Sequence, residues 1–381
     1  MNILYVTTKY AIGDGASAAV YSQVQIDETV CDSYLVIAKI VHSSENDLQI
    51  TIDKDIDRIV NFLKKGNVYI HYFKATYSNI LMDVLQLAGY TTPVVTTICQ
   101  VPSYKNLWLT PYELKHSWHF VFIDKTAYNN ELVNFIPASI KSQIYCVGFR
   151  RDYSHLKKEN HGNKIVYGRG STSIKCPKDM FDVFDRIDIP NKVFRIVGIE
   201  NDSWIRTEAA KRDNVEVYGM LPREEWLEIC KSFDIFLYHI PQDCHSSVDG
   251  TLGQAMLMEI PVVYMGSEAP KERFHENKNG FVANSIDEMA YYATMLGQDE
   301  ELRKQIGKEG KLSTIADFDP LVRRQKYTEI YKMQKKRPKM RVPFLYRMKF
   351  YFQNKQQAKE YICGILRITF PKAYDLYLKI K

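Results

Sequence analysis

The apolar residues of this chain fall into short runs, each followed by a polar turn and then a span of helical spacing. Asn2–Thr7 is a buried-type strand, followed by the glycine-containing loop 11–17 and a helix pattern through Ile26. Further strands are predicted at Val68–Tyr72, Pro93–Ile98, Phe120–Ile123 and Gln143–Val147, with a helix over Tyr77–Ala88. The polar segment from Arg150 to Asn163 breaks the rhythm and reads as a linker. The pattern then restarts, with strands at Lys164–Tyr167, Phe194–Val197, Val215–Tyr218 and Ile235–Tyr238, and helices at Met180–Ile187 and Glu224–Ser232. Gly280–Val282 is a last short strand, and Ser285–Gly297, Glu300–Leu312 and Asp319–Gln334 are helices. Strands alternating with helices predict an α/β architecture with parallel sheets. The expected domains are 1–150 and 164–318, joined by the linker 151–163. A helix over 319–334 leaves the second domain, and a tail follows over 335–381. No internal repeat with a period of 20 to 50 residues is found.

The stretch Ser246–Met265, SSVDGTLGQAMLMEIPVVYM, organises the second half. It pairs a Ser-, Gly- and Thr-rich loop with a short apolar helix. Free loop N–H groups and the positive end of the helix make an anion site suited to phosphate. Pro261 stops the helix and restricts Ile260, and the β-branched Val262–Val263 begins a buried strand.

Composition is that of a globular protein, 45% apolar and 25% charged. Its 381 residues exceed one ordinary core. No apolar run reaches the roughly 18 residues of a membrane-spanning helix. Met1 leads directly into NILYV, which predicts no signal peptide. The seven cysteines form no CxxC, which suits a reducing compartment and speaks against a disulfide framework or a zinc site. The net charge of +6 hides an asymmetry. Residues 335–381 hold 13 Lys and Arg against Glu360 and Asp375, a net of +11, so the rest is mildly acidic. Aromatic residues interleave this basic tail. An anionic partner is expected for it, a membrane face or nucleic acid; the alternative is a helical extension packed on the body or on a second subunit, with its basic residues solvated.

Arg169 and Lys175 lie in the first loop after a strand of the second domain, where such sheets bind ligands. Two cations there can neutralise a diphosphate; the alternative is two solvated surface cations. Gln254 can serve sugar hydroxyls or can simply favour the helix. Asp249, Gly250 and Thr251 can cap that helix and supply free N–H groups. Gly13 and Gly15 permit close approach of a ligand, or merely an ordinary strand–helix joint. The Asp53–Asp55–Asp57 run resembles a metal-binding DxD but precedes an amphipathic helix, whose start favours acids anyway. His71, His116 and His119 have no ligand spacing and are expected to be structural.

The layout over roughly residues 1–333 resembles the retaining glycosyltransferases of GT-B architecture, family four among them. NILYVTTKYAIGDGAS is similar to the family's opening strand and glycine loop. IVYGRGSTSIKCPKD is similar to its diphosphate grip, and VEVYGMLPREEWLEICKSFDIFLY to the elements before the donor loop. DGTLGQAMLMEIPVVYMGSEAPKERFHENKNGFV is similar to the donor loop itself. The chain departs from the pattern at several places. Ser246 and Gln254 stand where the family has two Glu, Glu259 replaces a Gly, and Cys99–Gln100 replaces His-Asp. The Arg-to-Lys spacing is one residue longer.

The resemblance implies two doubly wound Rossmann-like domains facing across a cleft, with helix 319–334 crossing back to the first. It implies a hexosyltransferase that works without metal or cofactor and retains anomeric configuration. The donor would be a UDP- or GDP-linked sugar, and the acceptor a surface glycan or its lipid-linked precursor. Arg169 and Lys175 would grip the diphosphate, helped by Asp249, Gly250 and Thr251. Gln254 would hold the ribose, and Glu272 would touch sugar or nucleotide. Gly13, Asp14 and Gly15 would border the acceptor. The tail 335–381 would dock on the anionic cytoplasmic membrane face, and no nucleic acid is expected. A GT-B nucleotide-sugar epimerase and a non-catalytic subunit of a glycan-assembly complex are the rival readings.

Overall fold

The structure is a computed structural model. It describes all residues except 11–18, 21, 25–26, 29, 42–48, 52–54, 76, 104–108, 146–163, 171, 245–249, 276, 334–335 and 381. The predicted loop 11–17 and the linker 151–163 lie outside the described residues. The chain divides into two units, Met1–Gly148 with Pro320–Lys381, and Phe149–Asp319.

The first unit holds seven parallel strands in the order β3-β2-β1-β4-β5-β6-β7. They are β1 (Asn2–Tyr10), β2 (Ser33–Val41), β3 (Gln49–Thr51), β4 (Val68–Lys74), β5 (Val94–Ile98), β6 (His119–Phe122) and β7 (Lys141–Gln143). β2 is absent from the sequence reading, although Leu35–Ala38 is an apolar run. The strand expected at Gln143–Val147 sits earlier, because Phe120 to Phe122 pair with Lys141 to Gln143.

Both faces of this sheet are covered, which is why its strands read as continuous apolar runs. Leu4 and Val6 of β1 point to one face, and Ile3 and Tyr5 to the other. The helix Pro320–Met333 covers the second face with Tyr327, Ile330 and Tyr331, at helical spacing. Tyr331 Oη lies 2.6 Å from His71 Nδ1, and Thr97 Oγ1 lies 2.8 Å from His71 Nε2 and 2.9 Å from Tyr327 Oη. Burial holds the His71 imidazole neutral, pushed down to about 3. His119, bonded to Ser142 at 2.8 Å, and His116, against the Tyr112 ring, are pushed down to about 4 in the same way.

The basic tail packs on the opposite face of the same unit. Tyr346 and Phe350 of the helix Phe344–Gln353 enter the cluster that holds Leu4 and Val6, as do Ala358 and Tyr361 of the helix Lys355–Thr369. Tyr346 Oη donates to the Leu109 carbonyl at 2.6 Å, and Arg367 pairs with Asp83. Gly364 lets the tail meet Asn79, whose side chain would lie 2.7 Å from an added Cβ.

The second unit holds six parallel strands in the order β10-β9-β8-β11-β12-β13. They are β8 (Ile165–Gly170), β9 (Lys192–Val197), β10 (Val215–Tyr218), β11 (Ile235–His239), β12 (Val262–Met265) and β13 (Phe281–Val282). Again both faces are buried, Ile235 and Leu237 toward one cluster and Phe236 and Tyr238 toward the other. Both sheets have the strand order of doubly wound folds, with the reversal beside the first strand of each unit.

Candidate functional site

The switch point of the second sheet lies between β8 and β11, which pair directly. Ligands of such sheets bind at the strand C-terminal ends beside that point. Arg169 is the next-to-last residue of β8, inside the strand rather than in the loop after it, and almost fully buried, at 1% exposure. Its Nη1 donates to the carbonyl of His239 at the end of β11. Its Nη2 donates to the Lys175 carbonyl at 2.7 Å, and its Nε to Cys176 Sγ at 3.3 Å. The guanidinium therefore ties the two switch-point strands to the short 3₁₀ turn Ser173–Lys175. A buried cation spread over several acceptors is the arrangement that offsets its desolvation.

Gly170 completes β8 and is needed for packing. A Cβ there would lie 2.0 Å from Cη2 of Trp226. Trp226, in the helix Arg223–Cys230, donates from Nε1 to Gln254 Oε1 at 2.7 Å. Gln254 stands in the helix Gly250–Leu257, which runs from Gly250 into the buried Leu252, Ala255 and Met256. Its first-turn N–H groups, those of Gly250 and Thr251 among them, lack partners within the helix. Arg169, Lys175, Gly250, Thr251 and Gln254 thus belong to elements at one end of one sheet.

Asp249 and Ser246, like Gly13, Asp14 and Gly15, lie outside the described residues. Glu272 ends the short helix Glu268–Lys271 after β12. Cys99 follows β5 and its N–H bonds the Lys74 carbonyl at 2.8 Å. Asp55 takes the N-cap position of the helix Ile56–Leu63 and Asp57 its first turn, while Asp53 is outside the described residues. Among the described residues, no group of three or more His, Cys, Asp and Glu side chains is placed to hold a metal. Glu259 keeps a left-handed φ of 57°, so the helix ends as a glycine would end it, and its carboxylate pairs with Lys311 at 2.8 Å.

Two residues of this end were not singled out from the sequence. Trp226 reads there as one more apolar position of an amphipathic helix. His239 is 6% exposed, with Nε2 3.6 Å from Asp179 Oδ1. Burial, and secondarily Arg169, pushes its imidazole down to about 3, so it is neutral. A strand-end histidine is the only sequence signal that marked it.

Two doubly wound parallel-sheet units in one chain give the GT-B fold. Residues 164–299 match the family model described as glycosyl transferases group 1. No curated protein matches the chain. Among solved structures, Anabaena HepE in complex with UDP and glucose aligns with a TM-score of 0.66 at 15% identity, over 87% of this chain and 99% of that one. A Rickettsia africae glycosyltransferase aligns with a TM-score of 0.66 at 14% identity, over 88% and 99%. WaaG, a glycosyltransferase involved in lipopolysaccharide biosynthesis, aligns with a TM-score of 0.60 at 12% identity, over 87% and 100%. At these identities the likeness is one of fold.

Proposed function

We propose that this protein is a glycosyltransferase that moves a hexose from a UDP- or GDP-linked donor to a surface glycan or its lipid-linked precursor, with retention and without a metal. The observation that carries the donor side is the assembly of the Arg169-tied turn, the start of the helix Gly250–Leu257 and Gln254 at one end of the parallel sheet. Charge develops on the leaving diphosphate in the transition state, and fixed cations and N–H groups stabilise it. In this reading the Lys175 ammonium and the N–H groups of Gly250 and Thr251 meet the phosphates. Arg169 fixes the turn that carries Lys175 and adds its positive charge from behind. Gln254 and Glu272 serve the ribose and the sugar, with Asp249 at the helix start. Gly13, Asp14 and Gly15 border the acceptor.

The test is incubation with a panel of nucleotide sugars, with and without lipid-linked acceptor. Free nucleoside diphosphate with an extended glycan supports the reading. An altered sugar alone indicates an epimerase, and binding without turnover indicates a non-catalytic subunit.

The tail bears on where the enzyme works. Among the described residues no helix is long and apolar enough to cross a membrane. The helix Phe344–Gln353 nevertheless exposes Phe344, Leu345, Met348 and Phe352, and the next helix exposes Ile362 and Leu366. Arg347, Lys349, Lys355 and Lys359 are exposed among them. Apolar side chains flanked by cations suit an anionic leaflet, to which each cation adds roughly 1 kcal/mol. The reading places the enzyme at the cytoplasmic face of the cell membrane, where a lipid-linked acceptor is at hand. Removing the tail would take away the buried Tyr346, Phe350 and Tyr361 and uncover the core they pack on, so truncation is a poor test. Replacing Phe344, Leu345 and Phe352 by Ser leaves the core intact. Pelleting with anionic vesicles that salt weakens and the triple variant loses supports docking; equal behaviour of the two proteins refutes it.

A further inference from the structure

The pairing of Trp226 with Gln254 decides which end of the amide faces a ligand. An indole N–H can only donate, so the Gln254 atom 2.7 Å from Trp226 Nε1 must be the carbonyl oxygen. The amide NH₂ is left directed elsewhere, and among the described residues it has no protein partner. The indole itself cannot turn to release the oxygen. It is 8% exposed, Gly170 lies flush beneath its six-membered ring, and the Phe233 ring meets it edge-on with centroids 6.1 Å apart.

We propose that Trp226 is a positioning residue that locks Gln254 with its NH₂ toward the bound nucleotide sugar, so that this position offers hydrogen-bond donors only. This rests on the donor-site reading above and adds a polarity to it. A carboxylate at the same place would accept from a ligand hydroxyl. The locked amide instead donates to a ligand oxygen, and that oxygen must accept. The substitution of Gln for Glu noted in the sequence then reverses the direction of the contact while keeping its place. The lock matters because a free amide would spend part of its time with the oxygen toward the ligand. Each wrong orientation sets two acceptors against each other, at the cost of a contact.

The experiment is a double-mutant cycle on the full chain, with UDP and GDP titrated by calorimetry and donor KM and kcat measured beside it. Trp226→Phe keeps an aromatic ring over Gly170 but removes the N–H. It is expected to weaken binding of the preferred nucleotide about three- to tenfold and to raise donor KM, with little change in kcat. In a Gln254→Ala background the same change is expected to have no further effect, because the indole acts only through the amide. An equal loss in both backgrounds overturns the proposal, since Trp226 would then act by packing alone; so does no loss in the wild-type background. Gln254→Glu is the second probe, and it does not depend on how Trp226→Phe folds. The carboxylate still accepts from Trp226 but presents an acceptor outward, so affinity should fall at least tenfold; unchanged or tighter binding overturns the stated polarity. If the unaltered protein binds neither nucleotide, the donor-site reading itself fails, and this inference with it.

Discussion

A Cβ placed on Gly307 would lie 2.1 Å from the carbonyl oxygen of Glu259, so the helix Glu300–Asp317 touches the end of the helix Gly250–Leu257 backbone to backbone. The contact holds the helix Gly250–Leu257 from behind. Neither side can give way by changing a rotamer. Gly307→Ala is therefore expected to destabilise the protein by about 1–3 kcal/mol, the usual cost of overpacking. Urea unfolding at equilibrium measures it, and a change within about 0.3 kcal/mol would mean the two helices part easily.

Asp27 gives a pH signature to the first unit. It is buried, accepts from Tyr5 Oη at 2.7 Å and from Gln23 Nε2 at 2.9 Å, and faces the charges of Arg323 and Arg324. Burial outweighs these partners and pushes its carboxyl up to about 6. A raised acid favours the folded state fully below its unfolded pKa near 3.8, and that contribution is lost as pH rises through about 6. Asp27→Asn removes the titration. Relative to the unaltered protein it should gain up to roughly 3 kcal/mol between pH 4 and pH 8. A stability difference that is flat over this range would show that Asp27 titrates normally.

Lys74, at the end of β4, and Glu113 form a buried ion pair 2.7 Å apart. Glu113 also accepts from Tyr72 Oη and caps its own helix through the Thr110 N–H. Lys74→Met leaves this carboxylate without its cation and should cost about 3–5 kcal/mol. Adding Glu113→Gln removes the stranded charge and keeps an acceptor, so the double variant is expected to recover part of the loss. Thermal melting of the two variants side by side decides it; a double variant less stable than the single one contradicts the account.

Arg169 and Lys175 should separate by their effect on stability. Lys175→Ala is expected to lower turnover on the order of 10²-fold with an unchanged melting temperature, as for loss of one aligned charge. Arg169→Lys cannot reach His239, Cys176 and Lys175 together, and should lower both turnover and stability, the latter by about 2–3 kcal/mol. If Arg169→Lys loses activity but keeps its full melting temperature, the guanidinium acts on the substrate directly rather than through the turn.

What was legible in the sequence was local. Apolar runs such as Val94–Ile98 and Ile235–His239 betray strands buried on both faces, because a doubly covered sheet leaves no polar side to alternate with. Pro261 and the β-branched run after it mark where the helix Gly250–Leu257 stops, and the strand-end position of Arg169 marks the C-terminal end of the sheet. What the tail helix Phe344–Gln353 covers depends on surface supplied by β1, far away in the chain, and by Tyr361 of the next helix, and only the folded unit reveals it. Asp27 and Lys74 look like surface charges until their buried partners are in place. Trp226 and Gln254 are 28 positions apart and become a donor and an acceptor only across Gly170. Periodicity records which side of an element is apolar, because burial repeats with the backbone's own geometry. It carries no record of what lies opposite, since long-range pairing is decided by packing in three dimensions.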